Sequence, residues 1–487
     1  MKALLLAVWT AAATHAAVIR GTVVENLTGK PLARAVVVLQ PVGGTPGDMQ
    51  SQRASSLGGF EFERLPAGTY ILKASRKGFL PAQYGQKRWN SVGQPVMVAD
   101  GETAFLNVRL PRFSAIAGTI LDENDIGLPE HEVAAYRLRN PPELVATARA
   151  NDRGEYRIHG LEPGTYAVRT IGKQYDDGAY LPTYARESEE LRNAVRVDLL
   201  PEQQMDHVDV RPAPGRLFHV DVGTVGFPPG QMTLTMASEL GRKSVQASSY
   251  RFTGLSPGEY DFYAEEPVED GIASAYQRIR LTGNGAVTLL ASPAGGLVVS
   301  GVPDVDSSKL WVRHRDLAGS GEAKRLPLTN GQASIPVGRW EFFLEPPAGA
   351  YVSAFYGGAI YRPYRMRADG WNEAVSGRFH PLHFQLESGP GSLRGTVKSS
   401  GEPVAGAPVY LEGWDSNGKQ RVGALRTAWT DARGGFRFDA LAPGSYRVLA
   451  TFEYIDPDVE TMDANAQEIT VAPHAEKPVD VELYVIR

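Results

Sequence analysis

Leu65-Pro66-Ala67-Gly68-Thr69-Tyr70 returns as Leu161-Glu162-Pro163-Gly164-Thr165-Tyr166, as Leu255-Ser256-Pro257-Gly258-Glu259-Tyr260 and as Leu441-Ala442-Pro443-Gly444-Ser445-Tyr446. Gly-x-Tyr alone is weak evidence in a chain with 52 Gly and 20 Tyr. The agreement extends further, however. Eight residues before each Gly stands an aromatic, Phe60, Tyr156, Tyr250 or Phe436, and six before stands Phe62, Ile158, Phe252 or Phe438. Aromatic, x, large apolar is the period-two alternation of a strand with one buried face, and the Leu continues that face. Pro-Gly predicts a type II turn, with Pro fixing φ and Gly accepting a positive φ. A second strand then opens on the Tyr, whose face is shared by Leu72, Val168, Phe262 and Val448. Ile335-Pro336-Val337-Gly338-Arg339-Trp340 is a fifth, degenerate copy, continued inward by Phe342 and Leu344.

Outward from these turns, Gly68, Gly164, Gly258, Gly338 and Gly444 stand 96, 94, 80 and 106 residues apart, each interval the size of one small β-sandwich. Strand openings support the same count: Ile19-Arg20-Gly21-Thr22-Val23, Ile116-Ala117-Gly118-Thr119-Ile120 and Leu393-Arg394-Gly395-Thr396-Val397. The turns Gly29-Lys30-Pro31 and Gly401-Glu402-Pro403 follow two of them. A Tyr just after a corner, at a strand start, resembles the tyrosine corner of immunoglobulin-like sandwiches, in which the hydroxyl bonds nearby backbone. Tyr70, Tyr166, Tyr260, Trp340 and Tyr446 are therefore structural candidates. The expected architecture is all-β: a tandem array of about five modules over residues 17–112, 113–212, 213–293, 294–389 and 390–487, preceded by a leader over 1–16.

Composition agrees with several folded modules. The chain has 487 residues, 43% hydrophobic and 22% charged, which are ordinary globular values. A formal net charge of −5 argues against a nucleic-acid partner. With Cys 0, disulfides, Cys-ligated zinc and thiol nucleophiles are ruled out. Lys2, the apolar run from Ala3 to Ala13 and the small residues Ala16 and Ala17 form a secretory pattern with cleavage expected after Ala16. No later run is long and apolar enough for a membrane helix, so export to the periplasm or cell exterior is expected.

Apolar-x-Gly-Thr-Val, Gly-x-Pro-Val/Leu-x-x-Ala-x-Val, Asp-x-x-Gly-x-Phe and Leu-x-Pro-Gly-x-Tyr together resemble the carboxypeptidase regulatory-like domain. That domain is a transthyretin-like sandwich related to collagen-adhesin B-type repeats. The resemblance is strong over 18–112, 113–212 and 390–487 and weak over 213–389. It implies an appended folding or interaction module rather than a peptidase site, in a family grouped with carbohydrate-binding-like folds. The tandem arrangement is similar to exported bacterial multi-module proteins.

Candidate chemistry is sparse. His131-Glu132 opens like a His-Glu-x-x-His zinc motif, but its fifth position is Ala135. His380 and His383 lie three apart in strand-like sequence and so point to opposite faces. Asp122-Glu123-Asn124-Asp125 lacks calcium-loop spacing and reads as turn chemistry. The letters Gly-x-Ser-x-Gly occur at Gly254-Leu255-Ser256-Pro257-Gly258, but within the strand-corner repeat and not on a strand-to-helix elbow, so no nucleophile is read there. An intramolecular Lys-Asn crosslink of collagen-adhesin type is not expected, since Arg20, Ala117 and Arg394 stand in the first strands and Asn107 is the only obvious late-strand Asn. No catalytic residue, metal or cofactor is expected.

Aromatic-rich segments after the Tyr strands are the ligand-binding candidates: Tyr84 and Trp89, Tyr180 and Tyr184, and Tyr361 and Trp371. Loops at sandwich ends are common recognition sites, and aromatics beside polar groups stack on sugars. The alternative reading has the same rings packing module junctions. The expected function is non-catalytic binding or adhesion, with a polysaccharide or an envelope protein as partner. An envelope scaffold, and an accessory to an extracellular enzyme or an unrecognised enzyme itself, are the other readings, and oligomeric state is left open.

Overall fold

The computed structural model describes residues 16–42, 46–139, 142–176, 178–188, 190–228, 230, 232–268, 271–357, 362–364, 369–377 and 381–486. The leader before Ala16, and with it the cleavage expectation, lies outside the described residues, as do Tyr361 and His380. Strands dominate, with a single α-helix among the described residues, Val459–Asn465, capped by the Asp458 carboxylate on Thr461 N. No helix there is long and apolar enough to cross a membrane.

Five main hydrophobic cores follow one another along the chain, built around Phe60, Phe62 and Tyr70; Tyr156, Ile158 and Tyr166; Phe252, Tyr260 and Phe262; Trp340, Phe342 and Phe384; and Phe436, Phe438 and Val448. Each belongs to a two-sheet sandwich. In module one, strand Ala17–Glu25 lies between Gly59–Leu65, antiparallel, and Thr103–Leu110, parallel. Strands Val36–Pro41 and Gly68–Ser75 form the middle of the second sheet. The same placement of the first strand recurs in the other four modules.

The repeated turn carries the chain from one sheet to the other, since the strands on its two sides belong to different sheets. The aromatic after it locks the corner. Tyr70, Tyr166, Tyr260 and Tyr446 donate through their hydroxyls to the carbonyls of Pro66, Glu162, Ser256 and Ala442, at 2.7, 2.7, 2.9 and 2.6 Å. In the degenerate copy Trp340 Nε1 donates to Pro336 O at 2.8 Å, so an indole replaces the phenol in the same four-residue return.

The type II expectation is corrected. Gly164, Gly258, Gly338 and Gly444 sit at φ between 149 and 155, far from the ~80° of that turn. The left-handed residue stands four positions earlier, at Arg64, Gly160, Gly254 and Ala440. There the pre-corner strand carries a β-bulge, marked by a register shift against the first strand. A bulge adds local twist and bends the strand toward the second sheet, work the sequence reading assigned to Pro-Gly.

The Gly-Thr-Val openings have a packing cause. A Cβ on Gly21, Gly118 or Gly395 would lie 1.6, 2.3 or 1.7 Å from a carbonyl of the parallel last strand, namely Leu106, Val208 or Val479. Opposite those glycines stand Phe60, Tyr156 and Phe436, whose rings cover the bare backbone. The aromatic eight residues before the corner Gly is therefore the partner of the opening Gly.

The modules close into a circuit. Modules one and two meet where Glu202 accepts from Asn26 Nδ2 and Arg112 N at 2.8 and 3.0 Å. Modules two and three meet at the Arg169–Glu239 pair and at Leu240 beside Tyr136 and Tyr184. Asp316 of module four takes both arms of Arg242 at 2.7 and 2.8 Å, and Asp261 of module three accepts from Leu317 N. Gly370 packs on Ala424 of module five. Module five then returns to module one through Val92 N to Phe452 O and Ile455 N to Asn90 O, both 2.8 Å, and through Arg88 on Glu453 at 2.6 Å. The tandem modules thus form a ring.

Candidate functional site

Segment 84–95 of module one enters the seam between its neighbours. Gln86 folds it by donating through Nε2 to the carbonyls of Arg88 and Trp89 at 3.0 and 2.7 Å, while Gln83 N donates to Gln86 Oε1. Ser91 closes the turn, accepting from Arg88 N at 2.9 Å. On one side Asn90 and Val92 bond module five; on the other, Lys87 and Trp89 line a cleft of about 770 Å³ toward module two. A second cleft, about 550 Å³, lies on the module-five side, between Gln94 and Met97 and residues Phe452 and Tyr484.

The first cleft takes its walls from both modules. Pro163, Leu200 and Pro201 give an apolar wall from module two, and Asn26, Asn107 and Arg109 a polar wall from module one. Arg109 Nη1 donates to Asn26 O at 3.1 Å, and Asn107 Oδ1 accepts from Thr22 Oγ1 at 2.7 Å. Trp89 is half-buried and Leu200 is exposed. Such a site can stack a flat apolar face and hydrogen-bond its edges.

The other sequence candidates occupy different surroundings. Tyr84 packs half-buried against the core of module one. Tyr180 meets His131 edge-on, with ring centroids 6.3 Å apart, and its hydroxyl donates to Glu123 at 3.1 Å. Tyr184 is buried against Tyr136 at the seam with module three. Trp371 lies beside Phe343, under the Arg313 guanidinium 4.0 Å from its centroid, next to the Gly370 contact with module five. Tyr361 lies outside the described residues. The structure therefore does not gather these rings into one surface, and Trp89 alone of the five described lines the large cleft. Sequence reasoning missed Asn26, Asn107 and Arg109: alternation places Asn107 and Arg109 on an outer face, but nothing local marks that face as one wall of a cleft.

His131 is fully buried, with Nδ1 2.9 Å from the Tyr175 hydroxyl, and burial pushes its pKa down to about 4, with nearby Lys173 adding to the effect. It is a neutral core group. His383 Nε2 sits 2.7 Å from Ser300 Oγ. Asp122 Oδ1 accepts from the backbone of Asn124 and Ile126, the expected turn chemistry. Among the described residues no group of three or more His, Asp or Glu is arranged to hold a metal ion.

Comparison with known proteins bears on the modules rather than the cleft. The carboxypeptidase regulatory-like domain family matches residues 18–111 and 392–484. No curated protein matches the chain. Similar solved structures include the TIE protein of Bacillus anthracis, 10% identical at a TM-score of 0.17, covering 92% of this chain and 68% of that one. The minor pilin of Streptococcus agalactiae is 15% identical at 0.25, covering 41% and 96%, and the major pilin subunit of Bacillus cereus 9% at 0.15, covering 76% and 99%. The chain is a tandem β-sandwich protein whose first and fifth modules match the carboxypeptidase regulatory-like domain family.

Proposed function

We propose that this chain is an exported, non-catalytic binding protein that holds a polysaccharide of the cell envelope in the cleft between modules one and two. The supporting observation is Trp89, half-buried on a folded loop and facing a cleft built by two modules from amides, cations and an apolar wall. An extended sugar chain suits such a walled groove, its ring faces on the indole and its hydroxyls on the amides. A binding screen of the mature protein against glycans and envelope fractions tests this with Trp89→Ala and Trp371→Ala. Binding should fall about tenfold or more, roughly 1.4 kcal/mol, in the first variant and stay in the second. Retained binding by both variants would overturn the assignment.

A scaffold role in the envelope is the second reading. It is favoured by the circuit of seams and by Tyr184 and Trp371, which lie at module junctions. Equal loss of binding and loosening of the ring on mutating those junction rings would support it.

A further inference from the structure

We infer that the saccharide held between modules one and two is acidic, a chain whose sugars carry carboxylate or sulfate groups. This rests on the reading of that cleft as the binding site. The cleft is lined by Lys87, Arg88 and Arg109 and by no Asp or Glu, in a protein whose formal net charge is −5. Arg88 is committed, since its guanidinium lies 2.6 Å from the buried Glu453 carboxylate. Lys87 is 61% exposed and reaches Glu453 only at 3.6 Å, a long pair that leaves its ammonium donors largely in solvent. Arg109 gives one N–H to Asn26 O, so the rest of its five-donor fork is available to an anion. The neighbouring carboxylates are already satisfied: Glu202 by Asn26 Nδ2 and Arg112 N, and Glu25 by Arg112 and Thr28. Lys87 and Arg109 therefore line the cleft together with Trp89, and no Asp or Glu stands among its described lining residues.

An acidic sugar matches this arrangement in two ways. Its ring face stacks on the indole, and the carboxylate or sulfate on its edge accepts paired N–H groups from Arg109, with Asn107 beside it. Exposed cations also give an attraction that salt screens over about 8–10 Å, so selectivity for acid should be salt-dependent. A neutral glycan would gain the stacking and the hydroxyl bonds to the amides, without the charge pairing.

The test measures, by calorimetry on the whole chain, binding of an oligogalacturonate, a sulfated chondroitin oligosaccharide and maltohexaose at low and high salt. The proteins compared are wild type, Lys87→Gln, Arg109→Gln and Trp89→Ala. All three side chains are at least partly exposed, and unchanged thermal melting of each variant confirms that it folds. At low salt one acidic oligosaccharide should bind about tenfold or more tighter than maltohexaose, and which of the two does so identifies the acid. That margin should shrink at high salt, and each charge substitution should weaken acid binding several-fold more than it weakens maltohexaose binding. Equal affinity for maltohexaose, or acid binding indifferent to Lys87→Gln and Arg109→Gln, would overturn the inference. If maltohexaose then still binds and Trp89→Ala abolishes it, the cleft stands as a neutral-glycan site. If none of the three oligosaccharides binds, the cleft reading falls together with the inference.

Discussion

Replacing Glu453 by Lys should open the ring. The carboxylate is 6% exposed and meets Arg88 at 2.6 Å and Lys87 at 3.6 Å, flanked by the backbone bonds Val92 N to Phe452 O and Ile455 N to Asn90 O. Because modules one and five belong to one chain, their seam closes at an effective concentration on the order of 1 mM, so half-closure needs about 4 kcal/mol of seam affinity. Two backbone bonds at about 1 kcal/mol each and a charge-assisted pair at about 2 kcal/mol reach that threshold. Pro95 and Val42, packed against Gly406, carry the seam past it. Lysine at 453 removes the pair and sets a third cation beside Lys87 and Arg88, which should turn a mostly closed population into a mostly open one. Small-angle scattering reads the change directly. A module of about 95 residues has a radius of gyration of about 12 Å, so five closed in a ring give about 30 Å and five in line about 47 Å. Wild type should lie near the lower value and Glu453→Lys well above it. A wild-type value near the upper figure, or a variant indistinguishable from wild type, would refute the seam.

Tyr446→Phe removes the bond to Ala442 O and should cost about 1 kcal/mol, lowering the melting of module five by about 4–8 °C if it unfolds alone. An unchanged melting curve would deny the corner its role. Burial also pushes Tyr446 up to about 12, so its stabilisation is complete below pH 10 and is lost as pH rises through about 12; Tyr446→Phe should flatten that alkaline decline in urea midpoints. Gly160→Ala places a Cβ in open space at φ 76, so only backbone strain operates, and chemical denaturation should report a loss of about 1 kcal/mol. A neutral result would mean the bulge relaxes. His131, held neutral with a pKa of about 4, stabilises module two fully above pH 6.5 and loses that contribution as pH falls through about 4, about 3 kcal/mol in all. Urea midpoints of His131→Phe should be flatter over that range, and an unaltered acid limb would count against the burial argument.

The sandwiches were legible because each is specified within fewer than 110 residues by period-two alternation and one bond that returns four residues along the chain. The turn type was misread because proline and glycine advertise a turn locally. The left-handed residue is instead Arg64 and Ala440 in two modules, types that give no sequence signal of positive φ. The ring was not legible at all. Asn90 and Ile455 are 365 positions apart, and an isolated Glu453 in a polar loop looks like any solvated acid until module one buries it. The cleft failed for the same reason, since its walls come from separate modules and only Trp89 stood out.

What distinguishes one module from another then lies on the outer faces, where the sandwich core makes no demand. Corner strands turn one face to the core and the other to an outer layer, supplied by the next module at Asp261 and by the module's own helix at Arg447, so a charged residue can follow the corner aromatic and still be buried. Asp261, Glu341 and Arg447 all stand at that position. Asp261 is satisfied by Arg278 at 2.7 and 2.8 Å and by Leu317 N of the next module, and Glu341 by Arg313 and Ser320. Buried pairs of this kind contribute little net stability, because desolvation offsets their attraction, but removing one partner is costly. Two buried acids are paired across seams instead, Asp316 with Arg242 of module three and Glu453 with Arg88 of module one, so a module placed against the wrong neighbour would leave such a charge unpaired, a penalty of about 3–5 kcal/mol that correct neighbours avoid. Apolar alternation therefore builds five nearly interchangeable sandwiches, and the buried charges between them fix the order in which they close.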